Sequence, residues 1–179
     1  MVTRATINEP DEYEEDIPTF EHGVICSRLN RYIGNFLDDK NIGVVVDSTP
    51  EYRFLQGNKQ GRFPDVSFIR QERLPQNWRS YPEIAPDLAI EVTSPTDRDY
   101  EVEAKVAEYQ KVRVSLVWVV HPFSRTVDIY RLKDGLIRQT IGGNQELDGE
   151  NVIPGFRLPV SKIFDFPVPA STMQTNNIS

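Results

Sequence analysis

Cysteine and histidine are nearly absent: Cys26 stands alone, and His22 and His121 are the only imidazoles. One cysteine excludes an intrachain disulfide framework and a cysteine-rich zinc site. Two histidines exclude a three-histidine zinc site. No stretch approaches the ~18 apolar residues of a membrane span. The amino-terminal run from Met1 to Asp16 lacks the apolar core of a signal peptide, so the expected setting is the reducing cytoplasm. Glycine is too thin between Asn58 and Gly61 for a phosphate-cradling loop. Basic charge is also short. Twenty bases face 27 acids, a net charge of −7, which speaks against a protein that coats nucleic acid without regard to sequence.

What is present fits one soluble globular domain. The chain has 179 residues, 39% of them hydrophobic, the length at which a single core forms. Charge is unevenly spread. Seven acids and no base lie between Glu9 and Glu21, whereas six bases face only Asp65 and Glu72 between Arg53 and Arg79, a local net of +4. Residues 1–18 read as an acidic arm, 19–168 as the domain, and 169–179 as a flexible tail.

Helical spacing of Ile25, Leu29, Tyr32, Ile33 and Phe36 predicts a first helix from about Glu21 to Leu37, with Thr19 as its cap. Strands follow at Gly43–Val46, Glu51–Leu55 and Pro64–Ile69, with a turn at Gly57–Lys59. A long loop from Glu72 to Pro86 comes next. Trp78 and Tyr81 are expected to anchor it, although Trp78 could instead stack on a base. The segment Asp87–Thr93 alternates most clearly: Leu88, Ile90 and Val92 share one face, and Asp87, Ala89, Glu91 and Thr93 share the other. Thr96 and Asp99 fit a capping box for a second helix reaching Lys111, with Val102, Val106 and Tyr109 as its apolar stripe. The nearly wholly apolar Leu116–Val120 reads as a buried central strand. Thr126–Arg131 and Leu136–Ile141 form a hairpin about Asp134-Gly135. The order predicts a mixed α/β domain.

Glu91 is the residue that needs a reason. A carboxylate in the middle of a core strand is costly unless it is paired, bound to a cation, or on a face open to water. Asp65 opens a second strand. If the two strands are neighbours, Asp65 and Glu91 converge, and two hard oxygen donors suit Mg²⁺ or Mn²⁺. Lys105, on the helix after Glu91, is the candidate cation; its plain alternative is an i,i+4 pair with Glu101. Asp87 shares the face of Glu91 but lies four residues away, roughly 13 Å along a strand, where anchoring a loop is the competing role. His22 could bind a metal, move a proton or steady the start of its helix. His121 reads as structural, and Cys26 as a small helical hydrophobe.

The ordered set Glu21-His22-Gly23, Pro64-Asp65-Val66, Ala85 to Asp97, and Lys105-Val106-Ala107-Glu108-Tyr109 resembles the restriction-endonuclease-like proteins abundant in cyanobacteria, within the PD-(D/E)XK nuclease superfamily. Leu116–Val120 with Thr126–Arg131, and Val152–Val160, resemble that family's hairpin and closing segment. The resemblance spans about Phe20 to Phe164. It implies a restriction-endonuclease-like core, a mixed sheet flanked by helices. It implies metal ligands at Asp65 and Glu91, a further contribution from Glu21, and a positioning role for Tyr109. The superfamily places a lysine two residues after the acid; here Thr93 stands there, and the resemblance implies that Lys105 has taken its place. The expected activity is metal-dependent endonucleolytic hydrolysis of DNA, by a homodimer if both strands of a duplex are cut. Two other readings stand beside it: a catalytically inactive module that binds DNA or protein, and a metal-dependent hydrolase of small phosphoesters.

Overall fold

A computed structural model describes residues 18–54, 61–95, 97–132 and 136–167. The expected arm and tail lie almost entirely outside the described residues, as do Thr96 and the turns at Gly57–Lys59 and Asp134–Gly135.

Helix α1 runs from Phe20 to Leu37. Thr19 caps it, its Oγ1 accepting from the His22 N–H at 3.2 Å. Ile25, Leu29 and Ile33 recur every four residues and are wholly buried. The helix ends where Asp39 takes a left-handed φ of 61°, and the chain turns into strand β1, Gly43–Asp47. Strand β2 is Val66–Arg70, followed by a 3₁₀ turn at Gln71–Arg73. Strand β3 is Leu88–Val92, helix α2 is Asp99–Lys111, and strand β4 is Leu116–His121. Strands β5, Thr126–Arg131, and β6, Ile137–Gly142, form the hairpin. A small ribbon of β7, Glu146–Asp148, and β8, Arg157–Pro159, leads into a short α3, Val160–Ile163.

The six long strands form one sheet in chain order, β1 to β6. Only β3 and β4 are parallel, because α2 carries the chain back between them; the other neighbours are antiparallel. The sheet has two apolar faces and therefore two cores. Val66, Phe68, Ile90, Trp118 and Ile129 pack under α1 and the segment from Leu147 to Phe164. On the other face Ala89, Val117, Val119 and Tyr130 pack under Val106 and Tyr109 of α2. The structure is an α/β fold, a mixed six-stranded sheet flanked by helices.

Three local expectations need correction. Of the expected strand Glu51–Leu55, Leu55 lies outside the described residues and residues 51–54 form no strand: Tyr52 makes one isolated bridge with Arg62, and its side chain drops into the core, where its hydroxyl lies 2.7 Å from Ser67 Oγ. Trp78 does not anchor its loop, since it is 69% exposed; Tyr81 is also exposed but its ring carries the Arg53 guanidinium at 3.6 Å. At the start of α2 it is Glu101 that reaches back, accepting from the Arg98 N–H at 3.2 Å.

Candidate active site

The β2–β3 register pairs Val66 with Ile90. Continued by one residue, it sets Asp65 across from Glu91. The ladder stops there because the Asp65 side chain takes over, Oδ2 accepting from the Val92 N–H at 2.7 Å. Two carboxylates are thereby held at the same end of neighbouring strands.

Glu91 lies on the α2 face and is 6% exposed. Tyr109 donates its hydroxyl to Oε1 at 2.6 Å, and Lys105 donates from Nζ to Oε2 at 3.0 Å. Lys105 and Tyr109 are one helical turn apart, so α2 delivers both to one carboxylate. Burial pushes the Glu91 carboxyl up; Lys105 pulls it back, and the charge of Asp65 pushes it up again. Burial alone would lower Lys105, but Glu91 outweighs it, with help from Asp97 and Asp65, and the ammonium is held above its ordinary range. Burial and then the Glu91 charge push Tyr109 well up. The alternative partner of Lys105, Glu101, is the residue that caps Arg98.

Asp65 also faces α1. His22 Nε2 lies 3.2 Å from its Oδ2, and His22 Nδ1 lies 3.6 Å from Cys26 Sγ. The hydrogen bonds to Asp65 and Cys26 push the imidazole up to about 10, so it is a cation near neutrality. Burial raises the Cys26 thiol. Among the described residues, His22, Cys26 and Asp65 are the group whose ligating atoms all come within 4.8 Å of one another; Glu91 is not a member. They open on a cavity of about 770 Å³. Cys26 was not expected here. The only signal was its i,i+4 spacing from His22.

The remaining candidates are spread out. Glu21 is exposed on the first turn of α1 and lines a separate cleft with Thr93, Ser94 and Phe123. Asp87 is at the opposite end of β3, where it accepts from the Arg70 N–H at 3.0 Å and pairs with Arg73 at 2.7 Å, securing the 3₁₀ turn. Thr93 turns its hydroxyl to the Val120 carbonyl at 3.3 Å. His121 belongs to a polar cluster that the sequence did not disclose. Asp128, 2% exposed, receives His121 Nε2 at 3.1 Å, Arg138 at 2.6 Å and Thr140 at 2.5 Å.

The basic segment is not a free patch. Arg53 pairs with Glu51, Arg62 with Glu108, and Arg73 with Asp87, while Arg70 lies near both Glu72 and Asp87. Lys59 lies outside the described residues.

A mixed six-stranded sheet flanked by helices, with an antiparallel pair leading into a β–α–β unit, is consistent with a restriction-endonuclease-like core. Residues 12–161 match the model of the Uma2 family, described as "Putative restriction endonuclease". The chain belongs to that family. A solved structure with the same fold is that of a "putative nuclease belonging to DUF820" from Anabaena variabilis. It is 20% identical, with a TM-score of 0.71, over 83% of this chain and 82% of that one. No curated protein matches the chain. No helix among the described residues is long and apolar enough to cross a membrane.

Proposed function

We propose that the chain is a metal-dependent endonuclease that hydrolyses DNA phosphodiester bonds. The observation that carries this reading is Glu91: a buried carboxylate on a central strand, oriented from one helix by Lys105 and Tyr109 and pushed up chiefly by burial, with a smaller push from the charge of Asp65. Two oxygen donors at the adjoining ends of β2 and β3 are the chemistry that a hard divalent ion takes, which supports Mg²⁺ or Mn²⁺ held by Asp65 and Glu91. Such an ion, when bound, supplies an activated water and stabilises charge on the phosphoryl group.

The chain's own residues have distinct tasks. Tyr109 fixes the direction of Glu91 through one hydrogen bond. Lys105 keeps its proton, because its ammonium is held above the ordinary range. It therefore acts as a donor and a positive charge toward a phosphoryl oxygen, not as the base. Its side chain is 37% exposed, so the charge stays within reach of substrate. Thr93 brings no charge to the strand position two residues after Glu91. His22, a cation near neutrality, donates to Asp65 and is likewise no base. Glu21, in its own cleft, is an outer contributor at most.

The test is cleavage of plasmid and single-stranded DNA with Mg²⁺ or Mn²⁺. Wild type cleaves and Glu91→Ala does not. Absence of both cleavage and divalent-ion binding across a broad substrate panel refutes the reading. Gel filtration at twice the chain mass is expected for the homodimer; a monomer mass sinks that part. A second reading, a module that binds DNA or protein without turnover, is favoured by one observation: both Glu91 oxygens already accept hydrogen bonds. It predicts binding that survives Glu91→Ala with no cleavage by either protein.

A further inference from the structure

The nuclease reading uses Asp65 with Glu91 and leaves two ligating side chains unexplained. His22 and Cys26 are four residues apart on α1, which stacks them on one face of the helix. That face meets the first residue before β2, where Asp65 is pinned by its bond to the Val92 N–H. The site thus rests on a long helix and a strand end.

The three side chains adjoin, with the His22 ring between the other two, each contact using a different ring nitrogen. Cys26 Sγ and His22 Nδ1 are 3.6 Å apart, and His22 Nε2 and Asp65 Oδ2 are 3.2 Å apart. Around a tetrahedral ion with bonds of about 2.0–2.3 Å, neighbouring donors are roughly 3.3–3.7 Å apart. One donor atom from each residue already falls within 4.8 Å of the other two, about 1 Å wider than a tetrahedral shell, so binding requires the set to draw together. Only one ring nitrogen of His22 binds, and loading replaces one of its two present contacts. The cavity of about 770 Å³ beside the cluster leaves room for a water or substrate atom as fourth ligand.

The donor chemistry selects the ion. Magnesium takes oxygen ligands and gains nothing from sulfur or imidazole. Thiolate, imidazole and carboxylate together are the donor types of zinc and cobalt, and three protein ligands with an open fourth position mark a site that exchanges what it holds.

We propose that His22, Cys26 and Asp65 form an open three-ligand site for a borderline-soft divalent ion of the zinc class. Binding releases the thiol proton and the imidazole proton displaced by the ion. A consequence rests on the nuclease reading above: Asp65 serves both sites, so zinc-class occupancy draws its carboxylate toward α1 and antagonises Mg²⁺-dependent cleavage.

The test is titration of the reduced full chain with Co²⁺, read as absorbance. Wild type develops a thiolate-to-cobalt charge-transfer band in the near ultraviolet, and Zn²⁺ abolishes it. Cys26→Ser loses the band. His22→Ala weakens Co²⁺ binding by at least about 100-fold, beyond the 10–100-fold typical of losing an outer-shell partner. Glu91→Gln keeps the band, which separates this site from the nuclease pair. Lack of a charge-transfer band in wild type overturns the proposal, as does a band that survives in folded Cys26→Ser. Circular dichroism of each apo variant checks folding, Cys26→Ala replaces a serine variant that fails to fold, and the wild-type spectrum is decisive on its own. Cleavage that is absent while the band is present refutes the nuclease reading alone.

Discussion

Replacing Tyr109 by Phe removes one oxygen and almost no volume. The ring stays in the second core beside Phe54, 6.4 Å between centroids, and the only bond lost is the one to Glu91. A hydrogen bond to a charged, buried acceptor is worth about 1.5–3 kcal/mol, so that is the expected loss of stability at neutral pH. The loss depends on pH, with a sign fixed by Glu91. Its folded-state carboxyl lies above the ordinary value of 4.5, so the folded protein binds a proton that the unfolded chain has released. Stability therefore falls as pH rises from the ordinary value through the folded one. Without the Tyr109 donor the folded carboxyl lies higher still, and the fall extends further. The unfolded chain is common to both proteins, so the wild-type-minus-variant difference stays small until pH reaches the raised folded-state value of wild-type Glu91, and grows as pH rises above it. Urea unfolding across pH 4 to 8, with EDTA present, measures it. A difference that is flat with pH, or below about 0.5 kcal/mol at neutrality, refutes the reasoning.

Three further outcomes are expected. Asp128→Asn loses about 1.5–3 kcal/mol at neutral pH, because His121 and Arg138 lose a buried anion. The bonds from Thr140, Arg138 and His121 hold the Asp128 carboxyl below its ordinary value of 3.8 despite burial, so the contribution is full above that value and fades as pH falls through the folded one; acid titration of the unfolding free energy checks it. Gly43→Ala destabilises by more than about 1 kcal/mol in thermal melts, since a Cβ at φ 153° would sit 2.3 Å from the Ile69 carbonyl oxygen. Trp78→Ala changes stability by less than about 0.5 kcal/mol because the ring is exposed, and a larger drop in urea unfolding contradicts its placement.

Residues close in sequence announced the parts of the fold that depend on nearest neighbours. The i,i+4 stripe of Ile25, Leu29 and Ile33, the Thr19 cap and the two-residue alternation of Leu88–Val92 each follow from one element's own geometry. Glu91 was conspicuous because its strand leaves a carboxylate no cheap place. What stayed hidden depends on partners far apart in the chain. Val119 pairs with Asp128 and Asp128 with Thr140, so the buried acid gathers His121, Arg138 and Thr140 only once β4, β5 and β6 are laid side by side. Cys26 reads as an ordinary helical hydrophobe until α1 crosses Asp65. The local excess of base between Arg53 and Arg79 was real, but Glu51, Glu108 and Asp87 take up most of it, and Glu108 is 46 residues from its partner Arg62.

The Asp65 carboxylate closes the hydrogen-bond ladder at Val92, where a main-chain oxygen would otherwise be needed. One side chain is thus both a piece of scaffold and a candidate ligand. A substitution there unfastens the end of β3 whatever it does to an ion, so loss of activity in an Asp65 variant is ambiguous evidence. The same double duty gives the acid a structural task whether or not the chain cuts. Lys105 has a structural task of its own, the pairing of buried Glu91, so an ambiguity of the same kind attaches to it.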